Sequence, residues 1–432
     1  MTFTNICPNK VIIAFLIFFV MYGCTGKPQE TSQQHTNTST NTSRIWRGQI
    51  SLRPDVQLPF RLEFAPNQQG GASYWLVNGK ERLEIDEYTQ TEDSLELDMH
   101  IFNTRVKASL AEDGDLKGYW IKDDYADYTL PFAAEPGTAY RFSKTPEAPV
   151  ANVSGKWEVT FTAPEGEEPP TVATGVLEQE GTRLLGTFLT TTGDYRFLEG
   201  EVNGDKLRLS CFDGEHAFLF TATVSDENTL TEGVFYSGRS WKQPWSAIKN
   251  EQFELPDANS LTYLKEGYEK LAFSFPNLDS TLVSLEDARY QNKVVVVQLM
   301  GSWCPNCMDE TLFFKDIYPR YQPRGLEIIS LGYERDPGFA PASKRLLKVK
   351  QRLGIKWPML VAGPANKAEA AETLPMLNHV MSFPTTIIID RAGKVRNIHT
   401  GFSGPGTGVY YERFAEEFTT LVEKLLAESP EA

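Results

Sequence analysis

The spacing of apolar residues changes at about residue 250 and divides the chain into two parts of different fold class. Between residues 44 and 250, short runs alternate apolar and polar side chains, as at residues 58–64, 95–101 and 207–210. Alternation with a period of two is typical of half-buried antiparallel strands. This part is therefore predicted to be all-β, either a sandwich or a barrel.

The two halves of the β-rich part repeat the same features in the same order. Offsets of 111 to 115 residues relate Trp46 to Trp157, Leu95 to Leu207 and Gly118 to Gly233. A recurring order with a drifting offset indicates a duplicated unit of about 100 residues. We predict β-rich modules at residues 45–145 and 150–250. Their aromatic side chains are expected to form core, and His100 and His216 to be surface or satisfied core residues.

Residues 255–432 alternate strand-like and helix-like runs. Residues 294–300, 326–331 and 386–390 are predicted strands, whereas residues 261–271, 343–353 and 414–426 have helical spacing. This order predicts an α/β domain with a mixed sheet.

The N-terminal residues are typical of an export signal. An apolar run at residues 11–22 is followed by Gly23 and Cys24. The run is short for a membrane span, and a small residue before a cysteine is typical of a bacterial lipoprotein signal. We predict a signal peptide at 1–23, lipidation at Cys24 and a polar, flexible tether at 24–44. An ordinary cleaved signal or an uncleaved anchor are the alternatives, and all three place the protein in the periplasm or cell envelope.

Charge and cysteine usage narrow the function classes. The net charge of -15 argues against a nucleic-acid partner. Of the five cysteines, Cys7 leaves with the leader and Cys211 is expected to be a buried small side chain. The remaining pair, Cys304 and Cys307, has C-x-x-C spacing, and a two-residue loop stabilises a fold little, so the pair is expected to serve chemistry.

The C-x-x-C pair follows a predicted strand and opens a predicted helix. There the sulfur of Cys304 can lie against free backbone N–H groups, which favours the nucleophilic thiolate. Cys307, one turn further on, is placed to resolve a mixed disulfide. Pro305 suits the first helical turn.

A zinc site is the competing interpretation of this pair. It requires two more cysteine or histidine ligands in suitable spacing, and Cys211, His379 and His399 do not supply it. We predict no metal and no cofactor other than a redox-active Cys304–Cys307 disulfide.

Residues 273–426 resemble the exported thioredoxin-like thiol–disulfide oxidoreductases of the TlpA/ResA type, related to the cytochrome-maturation reductases. The resemblance is carried by residues 293–307, Glu310, Trp357-Pro358 and residues 382–394. It implies a thioredoxin-like fold with an inserted strand–helix element that includes residues 343–353. It further implies protein thiol and disulfide substrates and a membrane electron donor or acceptor.

The same resemblance assigns roles to residues around the pair. It implies a cis peptide bond at Pro384 and a substrate-facing backbone at Phe383, with Thr385 following. Trp303 would shield the site, and Glu310 would tune the cysteines or relay a proton. The alternatives are a trans proline and a solvated Glu310 carboxylate. Gln298 departs from thioredoxin, which carries an acidic residue there, because an amide cannot act as a base.

Several alternatives remain open at this point. A thiol peroxidase would share the sheet, but residues 301–303 lack the Thr and Pro that such enzymes place before their cysteine. The β-rich half could instead bind a partner, with an auxiliary redox domain. The glycine-rich residues 401–408 are expected to form a flexible loop near the active face, and His399 is expected at the surface.

Overall fold

The β-rich half forms two antiparallel meanders. The structure, a computed structural model, describes residues 43–85, 87–99, 101–138, 140–163 and 170–429. The predicted signal peptide, Cys7, Cys24, nearly all of the tether and His100 lie outside the described residues. Within the described ranges, no helix is both long and apolar enough to cross a membrane.

The first meander is an open sheet in the order β4-β3-β2-β1-β9-β8-β7-β6-β5. Its strands are β1 (Arg44–Arg53), β2 (Val56–Pro66), β3 (Ala72–Asn78), β4 (Glu81–Ile85), β5 (Tyr88–Gln90), β6 (Ser94–Asp98), β7 (Thr104–Leu110), β8 (Leu116–Lys122) and β9 (Thr129–Pro136). Pairing of the first strand with the last curls the sheet into a barrel-like layer.

The second meander closes on itself. Its strands are β10 (Gly155–Phe161), β11 (Thr171–Glu180), β12 (Arg183–Thr190), β13 (Gly193–Asp194), β14 (Leu198–Asn203), β15 (Lys206–Phe212), β16 (Ala217–Asp226), β17 (Thr229–Ser237) and β18 (Trp241–Lys249). Consecutive strands pair, β12 with both β11 and β14, and β10 pairs with β18, which closes the barrel. Of the two predicted alternatives, a sandwich and a barrel, this module is a barrel.

Equivalent features of the two halves occupy equivalent strands. Trp46 and Trp157 lie in the first strand of each meander, β1 and β10, and both are buried. Gly118 in β8 and Gly233 in β17 each lie where a Cβ would fall within 2.4 Å of a backbone oxygen on the neighbouring strand. Only glycine permits that approach. The repeated barrel-like arrangement is therefore confirmed.

Aromatic side chains fill the second barrel. Phe220 is fully buried, and its ring centroid lies 4.6 Å from that of Phe188 and 4.4 Å from that of Phe235. Cys211 is fully buried in the same core, as predicted. His216 is a satisfied residue, since its Nδ1 lies 3.2 Å from Asp213 Oδ2. These aromatic positions are packing residues, which confirms the prediction for them.

The C-terminal part is an α/β domain around a mixed sheet in the order β23-β22-β21-β24-β25. Its elements are α1 (Ala258–Leu261), β19 (Ser274–Pro276), β20 (Leu282–Ser284), β21 (Val294–Met300), α2 (Pro305–Tyr321), β22 (Leu326–Glu334), α3 (Phe339–Leu353), β23 (Met359–Pro364), α4 (Lys367–Thr373), β24 (Thr385–Ile389), β25 (Val395–Thr400) and α5 (Val409–Ala427), with 3₁₀ turns at Ala288–Tyr290, Gln322–Arg324 and Pro405–Thr407.

Strand β21 is the centre of this sheet and is buried along its whole length. It pairs in parallel with β22 and antiparallel with β24. Helix α3 and edge strand β23 form the predicted inserted element. The predicted thioredoxin-like α/β fold is confirmed.

The helix predicted at residues 261–271 is wrong. Only Leu261, the last residue of α1, is helical there, and the next residue, Thr262, has an extended backbone. Leu264 forms a β-bridge with Leu377, and the backbone carbonyl of Glu269 accepts a hydrogen bond from the Val395 N–H at 2.9 Å. Gly267 has a φ of +89°. The segment is an extended arm because backbone pairing to the α/β domain replaces helical hydrogen bonds.

The described part of residues 42–432 packs as one compact unit. The boundaries at 145–150 and 250–255 stay predictions.

We expect Phe220→Ala to lower the free energy of unfolding by about 3 to 5 kcal/mol, because it removes a fully buried ring from the second barrel. Ile248→Ala on the exposed side of the same barrel should cost at most about 1 kcal/mol. Urea unfolding followed by circular dichroism measures both. Equal losses would contradict the assignment of the aromatic cluster as core.

Candidate active site

Cys304 lies at the junction of the central strand and helix α2. It is the N-cap of the helix, and its sulfur accepts a hydrogen bond from the backbone N–H of Cys307 at 3.3 Å. Pro305 occupies the first turn, where a missing N–H costs nothing. Both cysteines are free thiols here. The helix start thus directs a backbone donor at the sulfur.

The proline loop before β24 lies against this sulfur. The Phe383–Pro384 peptide bond is cis, so the trans alternative is wrong. The thiol of Cys304 donates to the carbonyl oxygen of Phe383 at 3.5 Å. Thr385 donates from its hydroxyl to the carbonyl oxygen of Ser382 at 2.8 Å, which ties the two ends of the loop together.

Trp303 packs beside the cysteine. Its ring meets that of Phe383 edge-on, with centroids 5.9 Å apart, and its Nε1 donates to the carbonyl oxygen of Tyr333 at 2.9 Å. The guanidinium of Arg335 lies 5.2 Å from the Trp303 ring centroid. Three fixed contacts therefore hold the indole at one side of the site.

Glu310 is fully buried behind the cysteines, so the solvated-carboxylate alternative is wrong. Its carboxylate accepts hydrogen bonds from the Thr386 hydroxyl at 2.7 Å and from the Gln298 amide at 2.9 Å. Desolvation raises the pKa of Glu310 to about 7, against the effect of these two donors. Gln298 cannot accept a proton as a base. It instead donates a hydrogen bond to Glu310, a carboxyl that can exchange a proton near neutral pH.

Cys307 is the more protected thiol. Burial, followed by the hydrogen bond and charge of Cys304, raises the pKa of Cys307 well above its ordinary value. The Gln298 amide lies 3.3 Å from the Cys307 carbonyl oxygen and also binds Glu310, one turn further along the helix. Removal of the Cys307 proton therefore requires a base, and Glu310, a carboxyl with a pKa of about 7, lies one turn away on the same helix.

A second buried carboxyl, that of Glu334, binds the residue just before Trp303. Glu334 at the end of β22 accepts from the backbone N–H of Ser302 at 2.8 Å and from its hydroxyl at 2.6 Å. Desolvation raises the pKa of Glu334 to about 7. Sequence analysis missed this residue because nothing in its neighbourhood marks it as part of the site.

A segment of the second barrel, residues 190–196, lies on the active-site surface, and we call it the cover segment. The Ser382 hydroxyl donates to the Thr192 carbonyl oxygen at 2.7 Å, and the Asn306 amide donates to the Asp194 carbonyl oxygen at 3.3 Å. The predicted loop at residues 401–408 also packs here, since the Gly404 N–H donates to the Asp194 carboxylate at 2.7 Å. No sequence motif announces these contacts.

Arg196 anchors the cover segment through buried ion pairs. Its guanidinium lies 2.5 Å from Glu81 of the first sheet, 2.5 Å from Asp309 of α2 and 3.5 Å from Asp213 of the second barrel. Desolvation, which the Arg196 charge opposes, raises the pKa of Asp309 to about 7. One side chain thus connects both β modules to the active-site helix.

The other histidine and cysteine candidates do not assemble a metal site. His399 Nδ1 lies 3.1 Å from Asn259 Oδ1, and desolvation lowers the pKa of His399 to about 4. Among the described residues, no three acidic, histidine or cysteine side chains are grouped to hold a metal ion.

Comparison with known proteins agrees with this geometry. Residues 265–411 match the Redoxin family model. Residues 265–411 form a redoxin domain. The domain is followed to the end of the described chain by most of α5, and the two β-rich modules precede it.

Curated relatives of the redoxin domain carry oxidoreductase names. The chain is 29% identical over 112 residues to the thiol-disulfide oxidoreductase ResA of Geobacillus thermodenitrificans, covering 26% of this chain and 57% of the relative. It is 25% identical over 159 residues to ResA of Halalkalibacterium halodurans, covering 37% of this chain and 78% of the relative. The matched segment thus spans little more than half the length of the Geobacillus protein.

Among solved structures, a thiol:disulfide interchange protein from Chlorobium tepidum covers 38% of this chain and 99% of its own, with 19% identity and a TM-score of 0.29.

Glu310 should make the stability of the protein depend on pH. Its pKa is about 7 in the folded chain and near 4.5 when unfolded, so the folded state binds the proton more tightly. The free energy of unfolding therefore falls as the pH rises through this interval, by about 2.5 kcal/mol between pH 5 and pH 8 for this group.

Urea unfolding at pH 5 and pH 8 measures this contribution as the difference between wild type and Glu310→Gln. The readout is the change with pH and not the absolute stability, since the amide also alters the hydrogen bonds. Glu416→Gln, on the exposed face of α5, is the control. An equal pH dependence in wild type and Glu310→Gln would contradict the buried, protonatable carboxyl.

Proposed function

We propose that this protein is a thiol–disulfide oxidoreductase that exchanges electrons with disulfides and thiols of peptides and proteins. The observation that carries the proposal is the position of Cys304. Its sulfur accepts the Cys307 N–H at a helix start and lies beside the cis Phe383–Pro384 peptide. The names of the curated relatives support the same reaction.

In the reducing direction, the Cys304 thiolate attacks one sulfur of the substrate disulfide. The substrate S–S bond breaks, one substrate sulfur leaves as a thiolate that takes up a proton, and a mixed disulfide forms. Cys307 then loses its proton, attacks the Cys304 sulfur and releases the second substrate thiol. Two electrons have passed to the substrate, and a Cys304–Cys307 disulfide remains.

The surrounding residues have supporting roles in this proposal. Glu310 accepts the Cys307 proton, because its pKa is about 7 and it lies one turn along the same helix. Trp303 and the Phe383 backbone line the approach to Cys304, and Pro384 and Thr385 hold that backbone in place. The reaction is reversible, and its direction follows from the reduction potential of the pair relative to its partners.

Cys304→Ser should abolish disulfide exchange, whereas Cys307→Ser should stop at a stable mixed disulfide, because only the resolving step is lost. Reduced protein is mixed with oxidised glutathione, quenched by alkylation and analysed by mass spectrometry. Cys211→Ser, which changes the thiol buried in the second barrel, is the matched control and should react as wild type does. Exchange that survives in Cys304→Ser would refute the proposal.

We also propose that the mature protein is exported and held at a membrane by lipid on Cys24, with residues 24–44 as a tether. The support is the apolar run before Gly23-Cys24 and the polar composition that follows. A membrane protein of the same compartment would then supply or remove electrons at the cysteine pair.

Cys24→Ala should move the protein from the membrane fraction of an expressing bacterium to the soluble fraction and abolish incorporation of labelled palmitate, because the acceptor thiol is gone. Cys7→Ala should leave both unchanged. Membrane association without labelling in the wild type would point to the uncleaved anchor instead.

A further inference from the structure

The residues between and around the two cysteines are buried, although an exchange reaction requires access to sulfur. Cys304 is 7% exposed, Asn306 is 9% exposed and Phe383 is 8% exposed. The cover segment binds Asn306, Ser382 and Gly404 of the 401–408 loop, and so packs on both sides of this buried region. The second barrel therefore limits what can reach Cys304.

The cover segment fits the surface with no room to spare. A Cβ at Gly401 would lie 2.9 Å from the backbone carbon of Thr192, and a Cβ at Gly193 would lie 2.6 Å from the Asn306 amide. Gly401 and Gly193 both have positive φ, at +78° and +150°. Backbone therefore packs on backbone at Gly401 and on the Asn306 side chain at Gly193, which excludes a second chain from the same space.

This contact adjoins the place where an extended substrate would bind. A peptide that adds as a strand needs free backbone groups and clearance on both sides of the loop that it pairs with. Ser382, the residue before Phe383, is already bound to Thr192 of the cover segment. A substrate with bulky chain on both sides of its disulfide would collide with the cover segment before its sulfur reached Cys304.

Asp194 is the residue on which the cover depends most directly. One carboxylate oxygen accepts the Arg196 backbone N–H at 2.6 Å, which shapes the turn, and the other accepts the Gly404 N–H of the redoxin domain at 2.7 Å. The carboxylate is buried, so its hydrogen bonds are not readily replaced by water. Arg196, two residues further along the segment, adds ion pairs to Glu81 and Asp309.

We propose that the cover segment, residues 190–196, is the specificity-determining element of the active site and selects small or thin disulfides over disulfides embedded in folded proteins. The proposal rests on the proposed exchange reaction. Small-molecule disulfides and disulfides in extended segments reach the Cys304 sulfur past the cover, whereas a folded protein disulfide reacts only when the cover is displaced. Asp194 is the positioning residue that keeps the cover in place.

The test compares one small and one folded disulfide in a single turnover, so that no added reductant is needed. Fully reduced protein and the substrate disulfide yield the Cys304–Cys307 disulfide and two substrate thiols. Second-order rate constants for oxidised glutathione and for native insulin are measured by quenching with an alkylating agent and mass spectrometry. Wild type, Asp194→Ala, Asp194→Asn and Asp205→Ala are compared.

Asp205 supplies a matched control, because it is an aspartate of the same barrel whose half-exposed side chain pairs with Lys206, outside the cover segment. Asp194→Ala should raise the insulin rate constant about tenfold or more, because the loss of hydrogen bonds to a charged group shifts an equilibrium by about that factor. It should alter the glutathione rate constant less than about threefold. Asp194→Asn, which keeps one acceptor oxygen, should fall between wild type and Asp194→Ala.

Equal insulin rate constants in wild type and Asp194→Ala, or parallel changes for both substrates, would overturn the proposal. Loss of exchange with oxidised glutathione in the wild type would instead refute the underlying oxidoreductase function, so the two failures are distinct. Alkylation of Cys304 in the folded proteins gives a second measurement. Asp194→Ala should speed labelling by a maleimide on a long polyethylene glycol chain but not by iodoacetamide, and equal acceleration of both would contradict a size filter.

Discussion

The hydrogen bond from the Cys307 N–H to the Cys304 sulfur depends on one geometric condition, that a fully buried strand ends just before a helix begins. Strand β21 meets that condition because it lies at the centre of the sheet between β22 and β24. Its register with β24 places Leu299 opposite Thr385, which brings the cis-proline loop to the same end of the sheet. The sheet order therefore determines that sulfur, helix start and proline loop meet.

Burial sets the electrostatic character of the region around that sulfur. Asp309 and Glu310 are neighbours in α2, and Glu334 ends β22. Desolvation is the largest influence on the pKa of each carboxyl, which lies at about 7. A carboxyl with such a pKa changes charge near neutrality, whereas an ordinary one does not. The site thus contains carboxyls, and not histidines, that can accept a thiol proton near neutral pH, because burial raises their pKa.

Sequence predicts the parts of this molecule whose pattern is local. The sequence predicts strand β21, helix α5 and the C-x-x-C turn, because apolar periodicity and capping act within a few residues. The helix predicted at residues 261–271 is wrong because the prediction used only local spacing. The spacing is helical, but backbone pairing with Leu377 and Val395 determines an extended conformation. The contacts of the cover segment cannot be predicted from the sequence, because Asp194 and Arg196 bind partners more than 100 residues distant in the chain. The barrel closure is likewise a long-range pairing that alternation alone does not distinguish from a sandwich.

The two meanders differ in how they end. The second barrel is closed by β10 and β18, so its long strands offer their backbone groups to one another. The first sheet is open and ends at β4 and β5, strands of five and three residues. Unpaired strand edges are templates for edge-to-edge aggregation, and short ones are poor templates. The β-rich half can therefore carry many strands while presenting little unpaired strand edge to a second copy of the chain.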